Sequence, residues 1–383
     1  MQKKIIALAV AGLVSGAAFA QSNVTIYGVA DVFYGYAWDN YADHTKSGSV
    51  VGSGALNGSR LGFKGTEDLG NGLSANFRME AGVNMDTGTS AQNGGLMSRW
   101  ATVGLSGKSW GEIQAGRRDT FQDELLGGTD ANARSMVSQV SPVYLDQARY
   151  NNFVAYLSPN WSGFQVKLGF ASNGTDNAAN DVVPTEITAA AQNTAANTNM
   201  RVYTAAVHYN NGPLVIGAVY DYDSYQDRSS NVAGVAGNGS YDSGNVWNIA
   251  GAYDFGVVRL HGAYGMINYA DNPQFGEDRD SRTQWSLGLS APIGANGKLA
   301  LVYADAKIEY IAAGAGDDKL SLWGISYIHN LSKRTAFYGA YGNLSQDDTF
   351  TNGAYRAGLS GTQGTAGSNG YEQGIQVGVR HFF

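Results

Sequence analysis

The carboxy-terminal stretch Tyr371-Glu372-Gln373-Gly374-Ile375-Gln376-Val377-Gly378-Val379-Arg380-His381-Phe382-Phe383 alternates in character up to its last residue. Its odd positions carry Tyr, Gln, Ile, Val, Val, His and Phe, and its even positions carry Glu, Gly, Gln, Gly, Arg and Phe. Successive side chains of a strand point to opposite faces, so one face suits lipid and the other suits water. A half-buried strand of a soluble β-sandwich would alternate in a similar way, so the rest of the chain must distinguish the two.

The amino terminus predicts export from the cytoplasm. Lys3 and Lys4 precede an apolar run from Ile5 to Val14, and Ala18-Phe19-Ala20 has the small-x-small pattern of a cleavage site. These features are typical of a secretory signal peptide. We therefore expect residues 1–20 to be removed and residues 21–383 to form one domain.

Composition narrows the class of protein. Removal of Lys3 and Lys4 leaves 23 basic and 32 acidic residues, a formal net charge of −9, which disfavours nucleic acid as a partner. The chain has 52 glycines, 23 tyrosines, 6 prolines and no cysteine, a balance that favours an all-β fold. After the signal peptide no run of 18 apolar residues predicts a transmembrane helix. This result does not exclude a β-barrel, which crosses membranes with alternating segments of low mean hydropathy.

Period-two alternation and turn residues divide the chain into sixteen predicted strands. They span residues 23–38, 56–66, 73–85, 97–106, 110–117, 149–158, 163–172, 200–209, 213–223, 245–253, 257–269, 282–290, 298–309, 318–329, 333–342 and 371–383. Long connections such as 39–55 and 118–148 alternate with short ones such as 67–72 and 107–109; only 310–317 is brief where length is expected. This alternation is typical of an outer-membrane barrel. It predicts a sixteen-stranded antiparallel transmembrane β-barrel.

The strands also predict which face meets lipid. In Leu73 to Glu80, for example, Leu73, Ala75, Phe77 and Met79 oppose Ser74, Asn76, Arg78 and Glu80. A charge on the lipid face at mid-depth costs about 2–4 kcal/mol, so we expect the charged set to face inward. The segment Ala101 to Leu105 fits this pattern poorly. Its apolar residues have the same parity as Arg99, which is expected to face inward, so they would face inward too. Aromatic residues near strand ends are expected to lie at the membrane–water interfaces. They include Tyr27, Phe33, Tyr34, Tyr36, Trp38, Trp100, Trp110, Tyr150, Tyr156, Trp161, Tyr203, Tyr209, Trp247, Tyr253, Trp285, Trp323 and Tyr327.

A barrel of this size leaves a water channel, which some element must narrow if passage is to be selective. The third long connection, 118–148, is the longest, and its apolar content suits packing against an inner wall. We predict that it folds inward as a constriction loop. Its candidate acidic residues are Asp119, Asp123, Glu124 and Asp130. The opposing basic wall is predicted to comprise Arg60, Lys64, Arg78, Arg99, Arg149 and Arg118, with Arg117 as the alternative to Arg118.

At this point the chain resembles the general porins of the Gram-negative outer membrane, in their β-proteobacterial branch. The resemblance rests on Val24 to Asp31, Gly58 to Gly72, Arg99 to Leu105, Gly111 to Arg117, Leu331 to Thr335 and Gly378 to Phe383. It implies a homotrimer of sixteen-stranded barrels, each with a pore narrowed by its third extracellular loop. It also implies that Arg60, Arg99 and Arg149 form the basic cluster of the pore. Phe383 would be the terminal aromatic residue that the outer-membrane assembly machinery recognises.

The resulting expectation is a passive diffusion channel for small hydrophilic solutes and ions, surrounded by lipopolysaccharide and phospholipid of the outer membrane. An enzyme is disfavoured, because the histidines are scattered and no nucleophile motif such as G-x-S-x-G is present. No cofactor is expected, and no acidic or histidine cluster has metal-ligand spacing. Two alternatives remain: a channel specific for an organic acid or a sugar, and an adhesin-like barrel whose polar loops 173–199, 224–244 and 343–370 are displayed at the surface.

Overall fold

The computed structural model describes residues 23–40, 47–91, 95–132, 148–172, 199–226, 244–268, 279–310, 317–346 and 371–383. The predicted signal peptide, residues 1–20, lies outside these ranges and stays a prediction. The strands are β1 (Asn23–Asn40), β2 (Gly48–Ser53), β3 (Arg60–Gly70), β4 (Leu73–Gly82), β5 (Trp100–Gly107), β6 (Gly111–Asp119), β7 (Arg149–Leu157), β8 (Phe164–Ser172), β9 (Asn199–Asn211), β10 (Leu214–Gln226), β11 (Gly244–Asp254), β12 (Arg259–Asn268), β13 (Arg279–Ile293), β14 (Gly297–Tyr310), β15 (Asp318–Asn330), β16 (Thr335–Gln346) and β17 (Tyr371–Phe382). One helix, α1 (Phe121–Thr129), follows β6. No helix within the described ranges is long and apolar enough to cross a membrane.

The sheet closes on itself through its first and last strands. β1 pairs antiparallel with β17 from Val29↔Phe382 to Asn40↔Tyr371. Its other edge pairs with β3 over Asn23 to Val29 and with β2 over Val32 to Ala37. Because β2 and β3 follow one another along the same edge of β1, they fill one place in the wall. The structure is thus a closed antiparallel barrel of sixteen strands, which confirms the predicted fold class.

The prediction was wrong where the second strand begins. The predicted loop 39–55 contains β2, and the predicted strand 56–66 starts inside a segment that leaves the wall. This segment, Gly54–Ser59, begins at Gly54 with φ 81°, a left-handed conformation that glycine adopts readily. We call Gly54–Ser59 the inward segment. β6 also runs two residues further than predicted, so the third long connection begins at Thr120 and not at residue 118.

Tight turns join the strands at one end of the barrel. The β3–β4 turn has positive φ at Gly70, Asn71 and Gly72, as Asn-Gly turns require. The chain closes at the same end, where Gly28 N donates to Phe383 O at 3.0 Å and Phe383 N donates to Gly28 O at 3.2 Å. The ring of Phe383 lies where a Cβ at position 28 would be, so only glycine fits there. The predicted alternation of long and short connections is confirmed.

Alternate residues of the strands face opposite environments, as predicted. On β14, Leu299, Leu301 and Tyr303 are exposed on the outer face, while Ala300 and Val302 are buried on the inner face. Ile375, Val377 and Val379 are likewise exposed on β17, and Gln376 is buried. Large apolar side chains exposed over the whole outer surface are expected only where lipid or another subunit covers them.

The inward assignment for β5 was wrong. Val103 and Leu105 are 64% and 47% exposed and lie on the outer face, whereas Trp100 and Thr102 face inward. Arg99 does reach the interior, but it lies one residue before β5 and so does not follow the alternation of that strand.

The aromatic residues form a partial ring on the outer face. Contacts link Phe170 to Tyr203, Trp247 to Tyr264, Trp285 to Tyr303 and Trp323 to Tyr341, with ring centroids 4.9–5.6 Å apart. Four residues assigned to the interfaces instead face inward: Tyr27, Phe33, Trp100 and Tyr150. Tyr27, Phe33 and Trp100 have inward parity on their strands, whereas Tyr150 is turned inward by the register shift between β6 and β7.

Candidate functional site

Three arginines of the predicted basic wall surround one buried carboxylate. Arg99 Nε lies 2.7 Å from Glu80 Oε1, Arg60 Nη1 lies 3.5 Å from the same oxygen, and Arg78 Nη2 lies 2.9 Å from Glu80 Oε2. Arg60 is on β3, Glu80 and Arg78 are on β4, and Arg99 directly precedes β5. We call this group the basic cluster. Its three guanidinium groups share one carboxylate, so two positive charges are in excess within it.

Aromatic side chains hold the part of the basic cluster nearest the tight turns. Tyr27 OH donates to Glu80 Oε2 at 2.9 Å and accepts from Arg78 Nε at 2.9 Å. The Arg78 guanidinium lies 3.9 Å from the centroid of the Trp100 ring, a stacking contact that keeps the charge in place. Lys64 is exposed beside them, with Nζ 5.4 Å from the Tyr27 ring. Arg78 and Lys64 are paired residues on β4 and β3, so both lie on the same inner face.

Arg149, predicted for the same wall, pairs with Asp119, which was predicted in the third loop but is the last residue of β6. Arg149 Nε lies 2.7 Å from Asp119 Oδ1, and the two residues are partners across β6 and β7. The like charges of Arg60, Arg99 and Arg149 interact with one another. Arg149 therefore belongs to the same charged region as the basic cluster, but Asp119 neutralises it locally.

The first part of the third loop forms α1. Thr120 caps the helix, since its Oγ1 accepts from Asp123 N at 3.0 Å, and the acidic residues Asp123 and Glu124 lie in the first turn, where the helix dipole favours them. Phe121, Leu125 and Leu126 are nearly fully buried. The cap explains why a helix starts at this position, and the buried apolar residues form the face that packs against the barrel.

α1 packs on strands across the barrel from β6. Asn248 Nδ2 on β11 donates to Gln122 Oε1 at 2.7 Å, and His261 Nδ1 on β12 donates to the carbonyl oxygen of Thr129 at 2.7 Å. Asn248 and His261 alternate with the exposed Ile249 and Leu260, so they lie on the inner face of the wall. Residues 120–132 therefore lie inside the barrel. Residues 133–147 are outside the described ranges.

Glu124 connects α1 to the side of the barrel wall that contains β6 and β8. It pairs with Arg118, and its Oε2 lies 2.7 Å from Lys167 Nζ on β8. Arg118 Nη1 also donates to Gln114 Oε1 at 2.9 Å, and its guanidinium lies 5.1 Å from the Trp100 ring. Arg118 faces inward but is only 2% exposed, so it fastens the loop and does not line open water.

The structure distinguishes the two adjacent arginines. Arg117 pairs with Ala101 and donates from Nε to Ser98 O and from Nη1 to Asn151 Oδ1, both at 2.6 Å. Arg118 is the one that contacts the interior. Ordinary alternation along β6 separates their directions, because Arg118 shares the parity of the inward Gln114 and Arg117 shares that of the exposed Ile113.

The remaining acidic candidates lie at the two ends of α1. Asp123 is in the first turn, where it interacts electrostatically with Asp119 and Arg149. Asp130 follows the last turn, where its Oδ1 accepts from Asn132 N at 3.0 Å and its charge interacts with Lys298 on β14. The acids of the third loop are thus spread over both sides of the lumen.

Sequence reasoning missed several members of the site. Glu80, Tyr27, Trp100 and Lys167 were not predicted for it, although the pattern of β4 placed Glu80 on the face of Arg78. Within the described residues, no group of three or more His, Asp or Glu side chains could hold a metal ion.

Comparison with known proteins gives one consistent picture. Residues 7–349 match the family model described as Gram-negative porin. The chain is 30% identical to an outer membrane porin protein of Bordetella pertussis and 31% identical to outer membrane porin protein 32 of Delftia acidovorans, and each match covers 100% of both chains. The solved structure of an anion-selective porin from Comamonas acidovorans aligns with a TM-score of 0.73 over 95% of this chain and 100% of that one, at 28% identity.

Proposed function

We propose a selectivity for this chain on one premise: the chain belongs to the Gram-negative porin family. It is accordingly a passive diffusion channel of the bacterial outer membrane. The proposal is that its constriction, built by the basic cluster and by loop 118–148, passes small hydrophilic anions more readily than cations. The basic wall would comprise Arg60, Lys64, Arg78, Arg99 and Arg149, with Arg118 holding the loop behind it. Asp119 at the end of β6 and Asp123, Glu124 and Asp130 of the loop would be its acids.

One observation carries this proposal: three guanidinium groups share the single carboxylate of Glu80. The nearest predicted acids are already paired, Asp119 with Arg149 and Glu124 with both Arg118 and Lys167. Lys64 adds a further exposed positive charge on the same inner face. A cluster of fixed positive charge in a channel attracts anions and repels cations. The selectivity of the Comamonas acidovorans protein, described as an anion-selective porin, agrees with this charge balance.

Three sugars of nearly equal size test the proposal directly. We expect proteoliposomes containing the purified channel to take up glucuronate fastest, glucose next and glucosamine slowest at neutral pH. The three sugars are similar in size and differ mainly in their own charge, which is negative, zero and positive in that order. Protein-free liposomes are the control. Equal rates for all three would contradict the charge selectivity. Fast uptake of one solute together with exclusion of both others would favour a solute-specific channel.

The proposal assigns no catalytic activity to the chain, since its relatives are porins. It includes cleavage of residues 1–20, a mature barrel domain of residues 21–383, contact with lipopolysaccharide and phospholipid, and recognition of Phe383 by the outer-membrane assembly machinery. Phe383 supports the last point. It lies where the last strand meets β1, and its side chain is half exposed on the outer surface.

The proposal also includes a homotrimer, whose contact surface we place on the outer faces of β4–β6. No outward residue of these described strands is Tyr or Trp, and the Trp110 ring of the β5–β6 turn covers only Gly107 at one end, whereas the aromatic ring runs over β8 to β16. Their outward residues are Leu73, Ala75, Phe77, Met79, Ala81, Ala101, Val103, Leu105, Ile113 and Ala115. Interfacial Tyr and Trp mark surfaces that meet lipid headgroups, so their absence from the outward positions of β4–β6 favours contact with protein.

Ala115→Trp tests this surface. A tryptophan on a lipid-facing surface is tolerated, but in a packed contact it overfills the space and costs about 1–3 kcal/mol per protomer. We expect A115W to migrate as a folded monomer on native gels. Ala205→Trp, at an exposed outward alanine on β9, is the matched control and should stay trimeric. Trimers of normal stability in A115W would place the contact elsewhere.

A further inference from the structure

The inward segment Gly54–Ser59 occupies the lumen beside the basic cluster. Ala55 and Leu56 are 0% and 2% exposed, and they pack with Phe33, Ile328 and Tyr338. Those three wall residues alternate along their strands with the exposed Tyr34, Tyr327 and Phe337, so they belong to the inner face. The inward segment is therefore a second piece of chain, besides the third loop, that lies inside the barrel.

Asp31, a fully buried carboxylate on β1, holds this segment in place. Its Oδ2 accepts from Leu56 N at 3.2 Å and from Asn57 N at 3.0 Å, and its Oδ1 accepts from Tyr338 OH at 2.6 Å. Its backbone N donates to Ser59 Oγ at 3.0 Å, and Ser59 Oγ donates to Asp31 O at 3.0 Å. One residue of the wall thus fixes the backbone of the inward segment at several points.

The inward segment in turn touches two arginines of the basic cluster. Arg60 Nε donates to the carbonyl oxygen of Gly58 at 2.8 Å. A Cβ at Gly58 would lie 3.1 Å from Arg99 Nη1, so the absence of a side chain there permits the guanidinium to approach the backbone. Arg380 Nη1 donates to Asn57 Oδ1 at 2.7 Å on the other side of the segment. The direction of the Arg60 guanidinium therefore depends on where this backbone is held.

We propose that Asp31 is a positioning residue of the constriction, which fixes the charge of Arg60 in the channel through the inward segment. The inference rests on the proposed anion selectivity, because it explains how one of the selective charges is kept in place. Asp31 itself is buried and does not meet permeating ions. An arginine that has lost its carbonyl partner samples several rotamers, which spreads its charge away from the ion path.

The direction in which Asp31→Asn changes the anion preference distinguishes a positioning role of Asp31 from a direct effect of its charge on ions. If Asp31 acted on ions through its own charge, Asp31→Asn would remove a negative charge near the lumen and increase the anion preference. If Asp31 acts through Arg60, the same variant decreases it. Asparagine has nearly the same shape, but its neutral amide oxygen accepts hydrogen bonds more weakly than the carboxylate does, and its nitrogen accepts none.

The test compares D31N, R60A and the double variant D31N/R60A as trimers in planar bilayers. Folding is first verified by gel migration with and without heating. We expect D31N to lower the chloride-to-potassium permeability ratio about twofold and to raise the open-channel current noise, because Arg60 then moves between positions. In the R60A background D31N should change neither quantity. If D31N does not fold, Tyr338→Phe, which removes one donor to Asp31 and keeps the ring, is measured for the same decrease.

The outcomes are distinguishable. A lowered ratio in R60A together with an unchanged or increased ratio in D31N overturns the role of Asp31 and leaves the anion-selective constriction standing. Equal decreases caused by D31N in the wild-type and R60A backgrounds also overturn it, because the effect would not pass through Arg60. An unchanged ratio in R60A overturns the role of Arg60 in the proposed constriction and this inference together.

Discussion

Arg60→Ala combined with Arg99→Ala is expected to remove most of the preference of the channel for anions. A unit charge about 8 Å from a permeating ion changes the energy of that ion by about 0.5 kcal/mol in water. Anion and cation respond with opposite sign, so one charge changes their permeability ratio about fivefold, and two charges change it about 25-fold before salt screening. Arg78 still pairs with Glu80 at 2.9 Å in this variant, so no buried carboxylate is left without a partner.

The reversal potential in a potassium chloride gradient measures this effect. Arg60→Lys combined with Arg99→Lys is the matched control, because it keeps both charges and alters only the shape of the side chains. We expect the lysine variant to stay close to the wild type and the alanine variant to approach equal permeability. If the two variants have the same reversal potential as the wild type, the basic cluster does not set selectivity.

The second large effect concerns the outer surface. Leu301 is 46% exposed on β14 and pairs with the outward Leu289 and Ile325 on its two neighbouring strands. Leu301→Arg places a charge in the apolar band, which costs about 2–4 kcal/mol of barrel stability near mid-depth. We expect the midpoint of guanidinium unfolding in lipid vesicles to fall accordingly, and the folded fraction on unheated gels to decrease.

Thr66→Arg is the control for the Leu301 variant. Thr66 is exposed on β3 and shares the face of Lys64, which points to the lumen, so an arginine there remains in water. Its unfolding midpoint should change little. Equal destabilisation by T66R and L301R, or none by either, would mean that the two faces of the wall have been assigned wrongly.

Much of this architecture could be predicted because it depends on local patterns. Alternation over Leu299 to Tyr303 shows directly in the sequence, and the tight turns carry Gly or Asn where positive φ is needed, except at Ser162 between β7 and β8. Arg60, Lys64 and Arg78 were grouped correctly on one inner face, because residues of equal parity on paired strands must share that face.

The errors arose where the chain departs from that periodicity. The inward segment interrupts the second strand, and Arg99 lies just outside β5, so counting by twos fails at both places. Tyr150 lies beyond a register shift between β6 and β7, where Asn152 has φ 51°, so the parity of β7 does not extend to it. The role of Glu80 depends on its pairing with Gly62 across β3 and β4, and a single strand does not contain that information.

The third loop shows the same limit. Its apolar residues predicted packing inside the barrel, and Phe121, Leu125 and Leu126 do pack there. The partners of its acids were not predictable, since Glu124 meets Lys167 from β8 and Asp119 meets Arg149 from β7 only after the wall has closed. The expected picture of acids facing a basic wall across open water is replaced, for these two residues, by direct ion pairs.

The proposed anion selectivity is tested by the reversal potential of the wild-type channel in a planar bilayer separating two concentrations of potassium chloride. The excess of positive charge around Glu80 predicts a potential displaced toward the equilibrium value of chloride, with the displacement decreasing as salt screens the arginines. A potential displaced toward the equilibrium value of potassium, or the absence of any conductance, would contradict it.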